Sequence, residues 1–190
     1  MPSTYANNLK IEEIATGEQS GVWGVTTNKN LATLLVQAIS GYEDVAIADN
    51  NVTPTTLNIP DGYVAGQGVA RNMYLRMTGA LTAARQLILP VNSGTAKKLY
   101  FVSNATTGGY SVTVKTAAGT GISVPNGIKM ILVCDGTDIL DAVSTMYIST
   151  GTANYLPKFT AYNQATNSIV YDDGSKIGIG TCLLYTSDAA

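Results

Sequence analysis

The sequence contains no histidine. That removes the side chain most used for proton transfer near neutral pH, and the commonest metal ligand with it. Charge is scarce as well: 13% of the residues are Asp, Glu, Lys or Arg, about half of the ~25% usual in soluble proteins. The 11 basic and 13 acidic residues are interspersed and leave a formal net charge of −2, so no basic face is available for a phosphate backbone. Nucleic acid is not an expected partner. Cysteine is nearly missing, with two in 190 residues, and no disulfide framework follows. No segment approaches the ~18 consecutive apolar residues of a membrane span; the longest such run is Met130 to Cys134. The N-terminus, Met-Pro-Ser-Thr-Tyr-Ala-Asn-Asn-Leu-Lys, lacks a basic patch followed by an apolar stretch, so it does not read as a secretory leader.

What the chain has instead is hydroxyls, amides and glycine: 24 Thr, 14 Asn, 12 Ser and 19 Gly. With 45% hydrophobic residues and little net charge, charge-driven disorder is not expected. The length suits one ordinary domain with a short appendage.

One segment has helical periodicity. Leu31, Leu34, Leu35, Ala38 and Ile39 fall at i, i+3, i+4, i+7 and i+8. Thr27 or Asn28 is placed to cap its start, and Gly41 to end it in a left-handed conformation. At about three turns the helix is marginal alone and must dock its stripe on the following domain or on a partner chain.

Beyond Gly41 the period shortens. Val45–Ile47, Asn72–Met77, Gln86–Leu89, Lys98–Val102, Tyr110–Lys115, Lys129–Cys134 and Ile139–Val143 read as short strands separated by Gly, Asn and Pro. The expectation is a mainly β protein: a short N-terminal arm and helix over 1–41, an antiparallel β-sandwich over 42–143, and a C-terminal β-hairpin-like stem within 144–181. In that last part, 144–154 has the texture of a connector. Tyr155–Phe159, Ser168–Tyr171 and Lys176–Gly180 alternate around the turn Asp172-Asp-Gly-Ser175. So few short strands cannot bury a core by themselves and need neighbours. Residues 182–190, Cys-Leu-Leu-Tyr-Thr-Ser-Asp-Ala-Ala, can be encoded by a string resembling a transposon adapter used in sequencing libraries. They are read as a non-native scar, and the natural protein is expected to continue past Thr181.

No catalytic, cofactor or metal constellation emerges. The acidic pairs Glu12/Glu13, Glu43/Asp44 and Asp172/Asp173 are adjacent, and neighbours on a strand point to opposite faces, unlike the facing carboxylates of a glycosidase. Asp172/Asp173 precede Gly174 and read as turn-formers; the alternating oxygen ligands of a calcium loop are missing. Cys134, inside an apolar run and without a histidine partner, reads as a small buried hydrophobe. Gly178-Ile-Gly180 has no helix after it to complete a dinucleotide fingerprint. Asn104-Ala-Thr106 fits a glycosylation pattern and, without a secretory leader, reads as a turn. Trp23, the only tryptophan, sits in Gly17-Glu-Gln-Ser-Gly-Val-Trp-Gly24. It either anchors a protein partner or caps the sandwich core. The candidate partner-interface residues are Trp23, Leu31, Leu34 and Leu35.

Thr16-Gly-Glu-Gln-Ser-Gly-Val-Trp-Gly-Val-Thr-Thr-Asn-Lys-Asn-Leu31, leading into Gln37-Ala-Ile-Ser-Gly-Tyr42, resembles the opening of bacteriophage tail-fibre and related virion structural proteins. Thr106-Thr-Gly-Gly-Tyr-Ser-Val-Thr-Val-Lys-Thr116, Val124-Pro-Asn-Gly127 and Cys134-Asp-Gly-Thr137 look like the β-domain that follows in such proteins. Ser168-Ile-Val-Tyr-Asp-Asp-Gly-Ser-Lys-Ile-Gly-Ile-Gly-Thr181 is similar to a stem segment preceding distal repeats. The resemblance spans nearly all of 1–181 and carries no catalytic residue. It implies a non-enzymatic homo-oligomer, a trimer, located in the virion tail after synthesis in the host cytoplasm. It further implies attachment through 1–41 to other tail proteins, and contact with a host receptor only through a distal region beyond Thr181. A capsid-decorating head protein, or the N-terminal part of a tailspike whose polysaccharide-degrading domain lies further on, are the alternatives. A bacterial surface adhesin is disfavoured, since no export signal is read.

Overall fold

The hydrophobic pattern of the strands fits a layered β-structure, and a computed structural model shows how the layers are made. It describes residues 2–50, 53–90, 97–143, 147–150, 152–161, 164–180 and 182–183. The chain divides into two units, Met1–Ala142 and Val143–Ala190.

In the first unit an arm pairs β1 (Thr4–Tyr5) with β2 (Glu12–Glu13) and leads into a helical stretch: α1 (Trp23–Lys29), a π-helical segment (Asn30–Leu35) and α2 (Val36–Ser40). The helix therefore begins at Trp23, ahead of the expected caps Thr27 and Asn28, and Val22 at its start offers no side-chain cap. The expected stripe is also broken. Leu34 is buried, Leu35 half-buried, and Leu31 and Ile39 are exposed. A π segment bonds i to i+5 and widens the turn, which rotates every later residue away from a 3.6-residue stripe. Gly41 is extended (φ −66, ψ 136) instead of left-handed. Its glycine identity answers to space: a Cβ there would lie 2.1 Å from Asn72 Oδ1 and 2.4 Å from the Gln37 carbonyl oxygen.

Among the described residues nine strands follow: β3 (Tyr42–Ala46), β4 (Thr55–Thr56), β5 (Tyr74–Thr78), β6 (Arg85–Leu89), β7 (Lys98–Asn104), β8 (Val112–Thr116), β9 (Ile122–Val124), β10 (Lys129–Cys134) and β11 (Ile139–Asp141). They form a five-stranded sheet in the order β11-β10-β7-β5-β3 and a four-stranded sheet in the order β4-β6-β8-β9. Alternate residues of both sheets enter one core, which includes Val45, Leu75, Met77, Leu87, Tyr100, Val112, Val114, Leu132 and Ile139. Burying each such aliphatic side chain contributes about 1.5–3 kcal/mol.

The pairing is mixed where an antiparallel sandwich was expected. β3, β5 and β7 run parallel in one sheet, and β4, β6 and β8 run parallel in the other. The chain crosses from sheet to sheet at each step from β3 to β8, so it coils around the core. Antiparallel pairs finish the coil, β8 with β9, β7 with β10, and β10 with β11. The turn-rich segments between the early strands are thus arches joining opposite sheets, and parallel neighbours need such crossovers. Asn104 to Gly109 is one of these arches. Asp135-Gly-Thr-Asp138 is a true hairpin turn, in which Asp135 Oδ1 accepts from the amides of Thr137 and Asp138.

The second unit contains β12 (Tyr147–Thr150), β13 (Tyr155–Ala161), β14 (Gln164–Asp172), β15 (Ile177–Ile179) and β16 (Cys182–Leu183). β14 is its spine: β13 and β15 pair with it antiparallel, and β12 pairs parallel with its start. The hairpin-like stem is present, and the segment expected as a connector carries β12. Thr181 and 184–190 lie outside the described residues; of the segment read as a scar, Leu183 and Cys182 pair with Gly178 and Ile179 of β15.

Candidate functional site

Several charged groups of the first unit hold backbone. Arg71, in a 3-10 turn (Val69–Arg71), is fully buried. Its Nε donates to the Leu9 carbonyl at 2.7 Å, and Nη2 donates to the carbonyls of Pro60 and Gly62. One cation thereby ties the N-terminal arm to the loop over 60–62. Burial lowers its pKa, and Asp61 partly offsets this. Gly68, at φ +84, makes room for it: a Cβ there would lie 2.4 Å from Arg71 Nη1.

Beside it, Lys98 Nζ donates to the carbonyls of Arg71 (2.7 Å) and Asn72 (2.9 Å) and sits 4.2 Å from the centre of the Tyr100 ring. Burial first, and the Arg71 charge second, bring its pKa down to about 8. The Tyr100 hydroxyl donates to the Ala70 carbonyl at 3.0 Å, and burial pushes its pKa well up.

The sites considered from sequence resolve into structure. The Asn104 amide is fully buried. It donates to the carbonyls of Tyr110 and Val124 and accepts from Thr106 Oγ1 and the Thr106 amide, so it is committed to the arch and closed to glycosylation. Asp173 accepts from the Ser175 and Lys176 amides in a turn where Gly174 takes φ +84. Asp44 pairs with Arg76 at 3.0 Å. Asp138 accepts from the amides of Ile139, Thr120 and Gly121, which holds its carboxyl below the usual range and pins the β8–β9 turn to β11. Cys134 is free, lies in the core, and has its thiol pKa raised by burial. Gly178-Ile-Gly180 belongs to β15 and the turn after it. Among the described residues, no group of three or more His, Cys, Asp or Glu side chains is placed to hold a metal, and no helix is long and apolar enough to cross a membrane.

The arm and helix are joined by polar bonds. Asn30 Nδ2 donates to the Glu12 carbonyl at 2.8 Å, Gln19 Nε2 donates to Glu12 Oε1 at 2.6 Å, and Lys29 Nζ lies 4.3 Å from the Tyr63 ring centre. Glu12, Lys29, Asn30 and Tyr63 line a cleft of about 240 Å³ together with Val25 and Thr26. Much apolar surface is open along this stretch: Val22, Trp23, Val25, Leu31, Val36 and Ile39 are each at least 50% exposed. Trp23, at 60%, does not cap the sandwich core. Of the four candidate interface residues, Trp23 and Leu31 are available to a partner, Leu35 in part, and Leu34 is buried. Arg71 and Lys98 were missed, and Asn104 was read only as a turn residue, because nothing local in the sequence marks a polar side chain as interior.

No protein-family model, curated protein or solved structure matches this chain.

Proposed function

We propose that this chain is a structural protein of a bacteriophage virion, forming the proximal part of a tail fibre. In this reading residues 1–41 attach to other tail proteins, and the β-domain and stem assemble with sister copies as a homotrimer. Recognition of the host is left to a region distal to the stem. The protein would work as scaffold and turn over no substrate.

The observation that supports this best is the apolar surface left open at both ends of the chain. A short helix leaves Trp23 and its neighbours to solvent, and among the described residues of the stem Phe159 is 75% and Ile169 62% exposed. Large apolar patches on a small domain mark surfaces meant for other chains. The charge-poor, hydroxyl-rich strands suit dense packing of identical copies, since few like charges oppose each other.

Immunogold electron microscopy with an antibody to 42–143 tests the reading. Label along the tail is expected. Label confined to the capsid shell would favour a head-decorating protein, and unlabelled particles would overturn a virion role altogether.

A further inference from the structure

The helical stretch is tied down on both sides of its π segment. On the N-terminal side, Asn30 binds the backbone of Glu12 twice: its Nδ2 donates to the Glu12 carbonyl at 2.8 Å, and its Oδ1 accepts from the Glu12 amide at 3.3 Å. Glu12 belongs to the arm, and the arm is itself held to the β-domain. Arg71 donates to the Leu9 carbonyl, and the Gly62 amide donates to the Lys10 carbonyl at 2.8 Å. On the C-terminal side, the Gln37 carbonyl accepts from the Met73 amide at 3.1 Å, and the Gly41 carbonyl accepts from the Tyr74 amide at 2.9 Å. The π segment, Asn30–Leu35, lies between these attachments. A π turn holds one residue more than an α turn. It thereby absorbs a residue that a regular helix would convert into about 100° of rotation between its two halves.

The side chains suit the other register. Leu31, Leu34, Leu35, Ala38 and Ile39 would share one face of an unbroken α-helix, yet Leu31 is 56% and Ile39 63% exposed while Leu34 is buried. Gln37 Oε1 is buried and has no hydrogen-bond partner among the described residues. In an unbroken α-helix Thr33 stands four residues before Gln37 on the same face, where its hydroxyl can donate to that oxygen. An apolar stripe and a polar pair thus fit one register, and the attachments to the arm and to β5 hold another.

We propose that the N-terminal arm is a latch on the register of this helix. With Glu12 seated on Asn30 the π turn is kept. When the arm leaves, Trp23–Asn30 rotates, the π turn closes to α, and the five apolar residues gather into a single stripe. The rotation gives up only one further contact, that of Lys29 with the partly exposed Tyr63 ring. Arm release and stripe formation are one equilibrium, so a ligand of the stripe draws the arm away, and a ligand of the arm opens the stripe. The inference stands on bonds within the first unit and is independent of the virion reading.

The chain has no histidine, so engineered histidine pairs report the register through nickel binding, measured calorimetrically on the full chain. Leu31→His/Val36→His, at i and i+5, stacks across a π turn but stands about 140° apart in an α-helix. Ala32→His/Leu35→His, at i and i+3, is a neighbouring pair in the α register. Val25→His/Asn28→His lies within α1 and controls for melting. Adding Asn30→Ala should weaken nickel binding at the first pair about tenfold and strengthen it at the second, as the competent population of each changes, and leave the control unchanged. Arg71→Met, which loosens the arm without touching the helix, should shift the first two pairs in the same directions. Loss of binding at all three pairs would mean that the helix melts and has no second register. No change at the first pair would mean that the π turn holds itself. A response to Asn30→Ala without one to Arg71→Met would confine the effect to Asn30. Each of these three results overturns the latch.

Discussion

Replacing Arg71 tests whether one interior cation holds the N-terminal arm to the β-domain. Arg71→Met keeps most of the side-chain length and apolar stem but removes donors that serve three backbone carbonyls, those of Leu9, Pro60 and Gly62. Each acceptor left without a partner in the interior costs about 1–3 kcal/mol. Against that loss, the guanidinium no longer has to be taken out of water, a penalty of several kcal/mol that its carbonyl partners now offset. The carbonyls belong to three separate segments that cannot re-pair with each other, so the loss outweighs the relief, and a net destabilisation of about 3 kcal/mol is expected. Urea unfolding measures the total. Hydrogen exchange locates it: amides of the arm, including those of Thr4 to Glu13, should lose protection by more than tenfold relative to β10. An unchanged midpoint together with an equally protected arm would refute the reasoning, since the buried cation would then be doing nothing its apolar replacement cannot do.

Lys98 makes stability depend on pH in an unusual direction. Its native pKa, about 8, lies below the ordinary 10.5, so between these values the unfolded chain binds more protons and unfolding becomes harder as pH rises. Denaturant midpoints should increase from pH 8 to 9.5, by about 1–2 kcal/mol in free energy, and Lys98→Met should flatten the rise; ionisation of Tyr100, favoured in the unfolded chain, opposes it at higher pH. The Asp138 carboxyl works the other way, being depressed in the native state, so its contribution is present above about pH 4 and lost as pH falls through its native value. Asp138→Asn should therefore show a shallower acid transition in a pH-dependent melting series. Asn104→Ala removes four hydrogen bonds from a fully buried arch and should cost about 2–4 kcal/mol by chemical denaturation. Cys134 should resist a thiol reagent in the native protein and react after unfolding, which a colorimetric thiol titration reads directly.

Much of the fold was legible because its strands alternate strongly. Lys129–Cys134 and Gln86–Leu89 were placed within a residue of their observed bounds by apolar content and a following breaker. Turn chemistry was equally readable where a turn is local, as at Asp135–Asp138 and Asp172–Ser175. Strand direction was not. An arch such as Asn104–Gly109 uses the same Asn, Thr and Gly as a hairpin, and only the distant partner decides whether the next strand returns to the same sheet or crosses to the other. Short pairings such as β4 and β12 escaped for a related reason, because their backbone hydrogen bonds demand little of their side chains. The helix shows a third limit: periodicity assumes a uniform turn, and the π segment at Asn30–Leu35 redirects Leu31 and Ile39 outward. At the surface, the exposure of Trp23 was not legible, since the sequence left it between a partner anchor and a cap on the core.

Hydroxyl-radical footprinting of the full chain at low and high concentration tests most directly whether sister copies cover the open apolar surface of the stem. Modification of Phe159, 75% exposed, should fall severalfold as concentration rises, while Tyr110, exposed in the arch that leads to β8, stays constant. Equal reactivity of both aromatics at every concentration would contradict the account.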